Sequence, residues 1–206
     1  AIFHFVYGRR VNYAFSKAIG YLMSQKIGRD IEVGISDNGF YFAGERLFID
    51  EILNFIKPEN FKIILEEAIS KTEILKRRFR HCAIRSFMIL KNYKGKEKSV
   101  GKQQMSSFYI LNDINKLSKD FPILKEARRE ILEDVMDIQN AIKVLKKIKE
   151  NEIKIEKIRT NLPSPFSINL ILQGHSDLLK IEDKIKFLKR MYEEIGKEIE
   201  KKKNKE

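Results

Sequence analysis

Hydrophobic and polar positions recur along this chain with two periods, and the switches between them divide it into elements. Ile2–Tyr7 (IFHFVY) has strand character and is bounded by Gly8. From Val11 to Lys26 the apolar residues Val11, Phe15, Ile19, Leu22 and Met23 fall at helical spacing, and Gly28 follows as a C-terminal cap. IEVGISDNGFYF sets two β-rich runs around Asp37-Asn38-Gly39, a hairpin signal. Leu47 to Leu90 reads as successive helices with a break at Lys57-Pro58, because the residue before a proline avoids the helical region. After a loop from Gly95 to Gly101, two or three further helices run to about Lys149. Ile153–Thr160 (IKIEKIRT) alternates as a half-buried strand should. Pro163 and Pro165 stiffen the LPSPFS turn, and Ile168–Leu172 is a short apolar helix or strand ending near Gly174. Leu178, Ile181, Ile185, Leu188, Tyr192, Ile195 and Ile199 then alternate spacings of three and four, a heptad seam expected to dock on its own domain.

The pattern predicts an α+β fold, a mostly helical single domain with a small antiparallel sheet and a long C-terminal helix. The sheet is expected from the hairpin around Gly39, the Ile153–Thr160 strand and, as a candidate third strand, Ile2–Tyr7. Residues 1–176 form the domain in this reading, and residues 177–206 are an amphipathic helix packed on it with a frayed end.

At 206 residues and 43 % hydrophobic content the chain has enough apolar material for a real core. No run approaches the ~18 uninterrupted apolar residues of a membrane span. The opening AIFHFVYGRR has no leading positive charge and no small-residue cleavage site, so it does not read as a signal peptide. It lacks an initiator methionine and starts in mid-pattern, which leads us to expect a piece of a longer polypeptide. The single cysteine, Cys82, excludes an internal disulfide and suits a reducing cytoplasm, the expected location.

Charge changes the picture more than composition does. The net charge of +12 favours a polyanionic partner such as nucleic acid. Between Lys71 and Lys102 stand eleven basic residues against Glu73 and Glu97 alone, a net +9 of that +12. Read as a helix, this window puts Arg77, Arg78, His81 and Arg85 in roughly one quadrant. Leu75, Phe79, Cys82, Ala83 and Leu90 lie on the opposite, core-facing side. Ile84, Phe87, Met88 and Ile89 make the second half apolar nearly all round, so a buried helix tail is expected to hold an arginine-bearing head. Guanidinium forks suit phosphates because each donates two parallel hydrogen bonds. A solvated basic face, or one paired with acidic helices inside the protein, is the competing reading.

Several chemistries fall away. GKEKSVGKQ has five residues between Gly95 and Gly101 where a P-loop has four, and Gln103 stands where a Ser or Thr would ligate magnesium. His4, His81 and His175 are scattered, and neither HExxH nor paired CxxC occurs, so no zinc site is expected. Cys82 reads as a small core residue rather than a nucleophile. Glu130, Glu133, Asp134 and Asp137 share a helix face that would serve a metal-dependent nuclease only with a preorganised magnesium or manganese site. More often such a face is solvated or paired with arginine. No catalytic constellation is evident.

RRFRHCAIRSFMIL, NYKGKEKSVGKQQ, FPILKEARREILEDVMDI and PSPFSINLI, in that order and spacing, together with GRRVN and the DNGFYF hairpin, carry a family likeness. They resemble the C-terminal accessory region of Lhr-type (large helicase-related) superfamily 2 helicases, with wording nearest to archaeal members. The resemblance covers nearly the whole chain up to its last helix. It implies an accessory domain beside two RecA-like motor domains and a winged helix, helping to hold the tracked single strand of DNA or RNA. The full protein would be an ATP-dependent helicase with ATP and magnesium in the motor domains; this piece would bind no cofactor and hydrolyse nothing. One departure stands out: bacterial members often carry a tryptophan where this chain has Gly101, so an aromatic stacking platform is lost there.

In that light Arg77, Arg78, His81 and Arg85 are expected to face the strand. Lys94, Lys98 and Lys102 form a rim, Gln103 and Gln104 offer hydrogen bonds, and Arg9 and Arg10 of GRRVN contact strand or motor. Replacing Arg77 and Arg85 by alanine is expected to weaken strand binding and leave thermal stability nearly unchanged. The expected partners are single-stranded nucleic acid and the motor domains of the same polypeptide, with no membrane. A module that merely docks its basic face on those motor domains is the rival reading.

Overall fold

The computed structural model of the protein describes residues 1–70, 72–118, 120–160, 164–174 and 181–203. In chain order its elements are β1 (Ile2–His4), α1 (Arg9–Ile27), β2 (Glu32–Ser36), β3 (Gly39–Ala43), α2 (Ile49–Phe55), α3 (Phe61–Ser70) and α4 (Glu73–Arg85). A small hairpin, β4 (Asn92–Tyr93) and β5 (Lys96–Glu97), leads to α5 (Val100–Leu117) and α6 (Pro122–Arg129). A π-helical segment, Glu130–Val135, continues α6 and precedes α7 (Ile138–Lys149). A 3-10 turn at Pro165–Ser167, α8 (Ile168–Gly174) and α9 (Ile181–Lys203) complete it. The α+β expectation holds: mostly helix, with a small antiparallel sheet and a long last helix. Among the described residues no helix is long and apolar enough to cross a membrane.

The larger sheet has the order β1-β3-β2, all antiparallel, with His4 and Ser36 both opposite Gly39. The hairpin predicted around Asp37-Asn38-Gly39 is present, with Asp37-Asn38 as its connection and Gly39 as the first residue of β3. Phe40 and Phe42 of β3 are buried against α1, where Phe3 stacks on Phe40 with ring centroids 4.7 Å apart. The GRRVN segment explains how α1 grips this hairpin. Asn12, fully buried, donates from Nδ2 to the carbonyls of Ser36 (2.9 Å) and Asp37 (3.1 Å), and the Arg9 amide donates to Asp37 Oδ1. A buried amide that satisfies two turn carbonyls fixes the turn to the helix.

Two expectations are corrected here. Ile153–Thr160 joins neither sheet: Ile153 packs on the core, whereas Ile155 and Ile158 are exposed and Lys157 ion-pairs with Asp50. Alternation marks a capacity for one-sided burial, but a strand also needs a free edge to pair with, and this segment has taken none. The helix through the basic window also ends earlier than expected, at Arg85. Ser86 Oγ donates to the Ala83 carbonyl, and Phe87 adopts a left-handed φ of 58°, which stops helical propagation. Of the apolar run that follows, only Ile89 is buried; Phe87 is 80 % exposed, and Met88 and Leu90 are exposed too. The arginine-bearing helix is therefore held by its own Leu75, Phe79, Cys82 and Ala83, not by a buried tail.

Along α9, Ile185, Leu188 and Tyr192 of the expected seam are exposed while Met191 is buried. Pro163, His175, Leu178, Lys71 and the boundary expected between residues 176 and 177 lie outside the described residues.

Candidate nucleic-acid interface

From Thr72 to Lys102 the basic window folds into one unit, in which α4 packs on α5 and the β4–β5 hairpin joins them. The hairpin turn is Lys94-Gly95, both with positive φ (50° and 76°), as a two-residue turn matched to strand twist requires. Its base is closed by the Lys98 amide donating to the Lys91 carbonyl (2.8 Å), and Ser99 caps α5. Gln103 proves to be part of this framework. It is buried, and its Nε2 donates to the Lys98 carbonyl at 2.8 Å, tying hairpin to helix. Gln104 and Lys102 are exposed beside it, Lys98 is half-exposed, and Lys94 sits at the hairpin tip.

The arginines of α4 divide into two sets. Arg78 and Arg85 turn toward the π-helical segment, where Glu130 is only 4 % exposed. Arg85 Nη2 donates to Glu130 Oε1, and Arg78 Nη1 forms an ion pair at 3.6 Å with Oε2, an oxygen that accepts no hydrogen bond. Arg85 also donates to Cys82 Sγ at 3.2 Å. A buried carboxylate demands compensation, and two guanidinium groups supply it. Glu130 in turn holds Arg85 more firmly protonated than an ordinary arginine, through that hydrogen bond first. Arg77 and His81 point outward and are exposed. Of the predicted set, then, two side chains face solvent and two brace the helix while keeping part of their surface open.

The same π-helical segment gathers Arg10, whose Nη2 donates to the Glu133 carbonyl, and Arg129, which ion-pairs with Glu126 (2.7 Å) and Glu133 (3.0 Å). The Arg9 side chain is exposed. The acidic helix face expected here is thereby broken up: Glu130 points in, Glu133 meets arginine, and Asp137 caps α7 by accepting from the Asn140 amide. Among the described residues, no three of His, Cys, Asp and Glu come close enough to share a metal ion. Cys82 is buried, and desolvation followed by the Glu130 charge pushes its thiol pKa up, the opposite of nucleophile activation.

His81 reports the local field. Burial first, then Arg80, Arg78, Arg77 and Arg85, push its pKa below the usual histidine value of 6.5. Because the folded form resists the proton, the unfolded chain binds it first as pH falls below 6.5, so this group's contribution to stability is present above that pH and lost below it. Urea unfolding at pH 7.5 and pH 5.5 should show a larger loss for the parent than for His81→Gln. An NMR titration midpoint for His81 at or above 6.5 would contradict the positive field.

Two cations and two aromatics belong to this face that the sequence reading did not single out. Lys76 and Arg80 lie on the flank of α4 toward α5, and Lys76 Nζ is 6.0 Å from the Phe108 ring centroid. Phe108 (43 % exposed) and Tyr109 (59 %) stand on α5, ring centroids 5.7 Å apart. Their exposure was hidden in the sequence because the buried stripe of α5 runs through the polar Gln103 and Ser107 to Leu111 and Ile114.

These features define a class: a helix-rich domain that concentrates cations on one folded unit and braces them on a buried carboxylate, with no metal cluster among its described residues. The chain belongs to the DEAD/H-associated family, whose model matches residues 1–167. It is 47 % identical over 199 residues to the ATP-dependent helicase Lhr-Core of Methanothermobacter thermautotrophicus, an alignment covering 96 % of this chain and 23 % of the relative. With the ATP-dependent helicase Lhr-Core of Saccharolobus solfataricus it shares 44 % identity, over 94 % of this chain and 23 % of that one. The chain thus spans about a quarter of the length of these relatives. A solved structure, Mycobacterium smegmatis helicase Lhr bound to ssDNA and AMP-PNP, superposes with a TM-score of 0.70 at 28 % identity, covering 82 % of this chain and 22 % of that one. The likeness to Lhr-type helicases, and to archaeal members in particular, is borne out.

Proposed function

We propose that this domain is the strand-holding accessory part of an Lhr-type ATP-dependent helicase, gripping single-stranded nucleic acid through its phosphates beside the motor. ATP hydrolysis, with its magnesium, belongs in this reading to motor domains elsewhere in the polypeptide. The observation that carries the proposal is the charge placement: from Thr72 to Lys102 ten basic residues against two acidic ones sit on a single folded unit, α4, the hairpin and the start of α5, braced on Glu130. That the M. smegmatis relative was solved with ssDNA supports the choice of ligand. Arg77, His81, Lys94, Lys98, Lys102 and Gln104 are the proposed contacts, joined by the open surfaces of Arg78 and Arg85 and by Arg9. Arg10 and Gln103 act by holding the framework.

The 206-residue chain should bind a labelled single strand with little sequence preference. Three to five phosphate contacts would give a log affinity falling with log salt at a slope of about −2 to −3.5, since each contact contributes roughly −0.7. Arg77→Ala with Lys102→Ala should flatten that slope by about 1.4 and leave the melting temperature alone. Affinity indifferent to salt between low and physiological ionic strength defeats the phosphate model. Binding that is absent altogether favours the rival in which the basic face docks on acidic motor surfaces.

A further inference from the structure

The strand-holding reading uses charged and polar groups only, yet the same helices expose a cluster of large apolar side chains that the core does not claim. On α5 the inward stripe is Gln103, Ser107, Leu111 and Ile114. At about 100° per residue this turns Met105 and Tyr109 to the apex of the helix and puts Phe108, with Gln104, on one flank. That flank borders α4, as Lys76 near the Phe108 ring shows. Met105, Phe108 and Tyr109 are all exposed. Gly101, on the same side as Phe108 and two turns earlier, has nothing within 4 Å of the place a side chain would occupy, so the approach along the helix is open.

We infer that Phe108 and Tyr109 form a stacking platform for unpaired nucleobases, laid alongside the cations of α4 that hold the phosphates of the same strand. The inference rests on the strand-holding reading and adds the part of the strand that reading leaves ungripped. Charge complementarity selects the occupant. From Ile74 to Arg85 and from Lys98 to Asn112 no acidic residue occurs, and Lys76 stands 6.0 Å from the Phe108 ring centroid, so the rings lie on an acid-free, cationic stretch of the two helices. The nearest acid at the α4 end is exposed Glu73, which pairs with Lys76 at 2.6 Å, and the first on α5 is Asp113, paired with Lys116. A single strand presents this alternation of aromatic faces and anions, and stacking on an aromatic ring accepts any base. The 69° angle between the two rings leaves them different open faces, which suits two bases in different orientations rather than a continuous stack.

The test compares two strands of equal length, one with bases and one abasic, on the parent chain and on the Phe108→Ala and Tyr109→Ala variants. Each substitution is expected to weaken binding of the base-bearing strand by about tenfold, and the abasic strand, which keeps every phosphate, should bind all three proteins alike. A strand carrying 2-aminopurine should lose fluorescence on the parent and recover it on the variants. Phe108→Leu, which keeps the apolar volume, should retain the melting temperature but not the quenching. If the parent binds base-bearing and abasic strands equally and leaves 2-aminopurine bright, the platform is refuted while phosphate gripping stands, and the rings belong to a protein contact. If neither strand binds, the strand-holding reading falls and takes the platform with it.

Discussion

The variant with both Arg78 and Arg85 replaced by alanine is expected to melt about 6–12 °C below the parent. Together these side chains compensate one carboxylate, Glu130, that is 4 % exposed. Removing the partners of a buried charge costs about 3–5 kcal/mol. The truncated side chains leave an opening through which water can reach the carboxylate, so we take the lower end, about 3 kcal/mol, which in a domain of this size gives the stated shift. The diagnostic is the third substitution. Adding Glu130→Leu to the double variant should restore most of the lost stability, because removing the buried carboxylate along with its partners is far less costly than orphaning it. Arg77→Ala, by contrast, should not move the melting temperature, although Arg77 lies on the same helix. Thermal melts of the four proteins decide the matter; a double variant within about 2 °C of the parent would make the Glu130 contacts ordinary surface pairs. The result separates Arg77 from Arg85, which the sequence pattern treats as equivalent.

Gly39→Ala should be comparably severe. A Cβ at this position would lie 2.0 Å from the Phe3 carbonyl oxygen and 3.1 Å from its carbon. The obstacle is main chain, so no rotamer change relieves it, and β1 must lift from β3, against which His4 opposite Gly39 sets its register. Lifting β1 weakens the Phe3–Phe40 stack and the edge contact of Phe3 on Phe42. We expect a loss of about 3 kcal/mol, the upper end for overpacking. Faster amide exchange should follow in β1 and β3 but not in α4. An unchanged melting temperature would mean that β1 contributes nothing to the fold. Strand affinity measured well below the melting point should stay near that of the parent, since the sheet holds none of the proposed contacts.

Much of this was legible in the sequence, for identifiable reasons. Helix α1 announced itself through its apolar period and Gly28, whose left-handed φ of 75° closes the helix as a C-cap. The Asp37-Asn38 turn was equally plain. Both are local rules that tertiary context did not override. The charge window was also visible, because charge placement survives any fold. What could not be read was which arginine meets which acid. Arg85 and Glu130 are 45 residues apart, and nothing local distinguishes a brace from a contact. The end of α4 was missed because apolar residues after Arg85 suggested continuation, whereas Ser86 and the left-handed Phe87 terminate it. Phe108 and Tyr109 were missed because α5 buries polar side chains, so the hydrophobic period points to the wrong face.

The π-helical segment has a consequence for chain length. Its wider turn lets three successive residues, Glu130, Ile131 and Leu132, be buried together, where a 3.6-residue turn would spread them over about 200° of the helix. The segment is therefore a phase adjuster: Leu124 and Ala127 before it, and Ile138 after it, face the same core only while its residue number is kept. Homologous chains should accept substitutions within Glu133–Val135 far more readily than the gain or loss of one residue there. A one-residue change there would take buried Met136 and Ile138 out of register with the core, while Glu130, which lies upstream, would keep its arginine partners. Spacing between FPILKEARRE and the start of α7 is thus a signature of this core packing that alignment length alone can read.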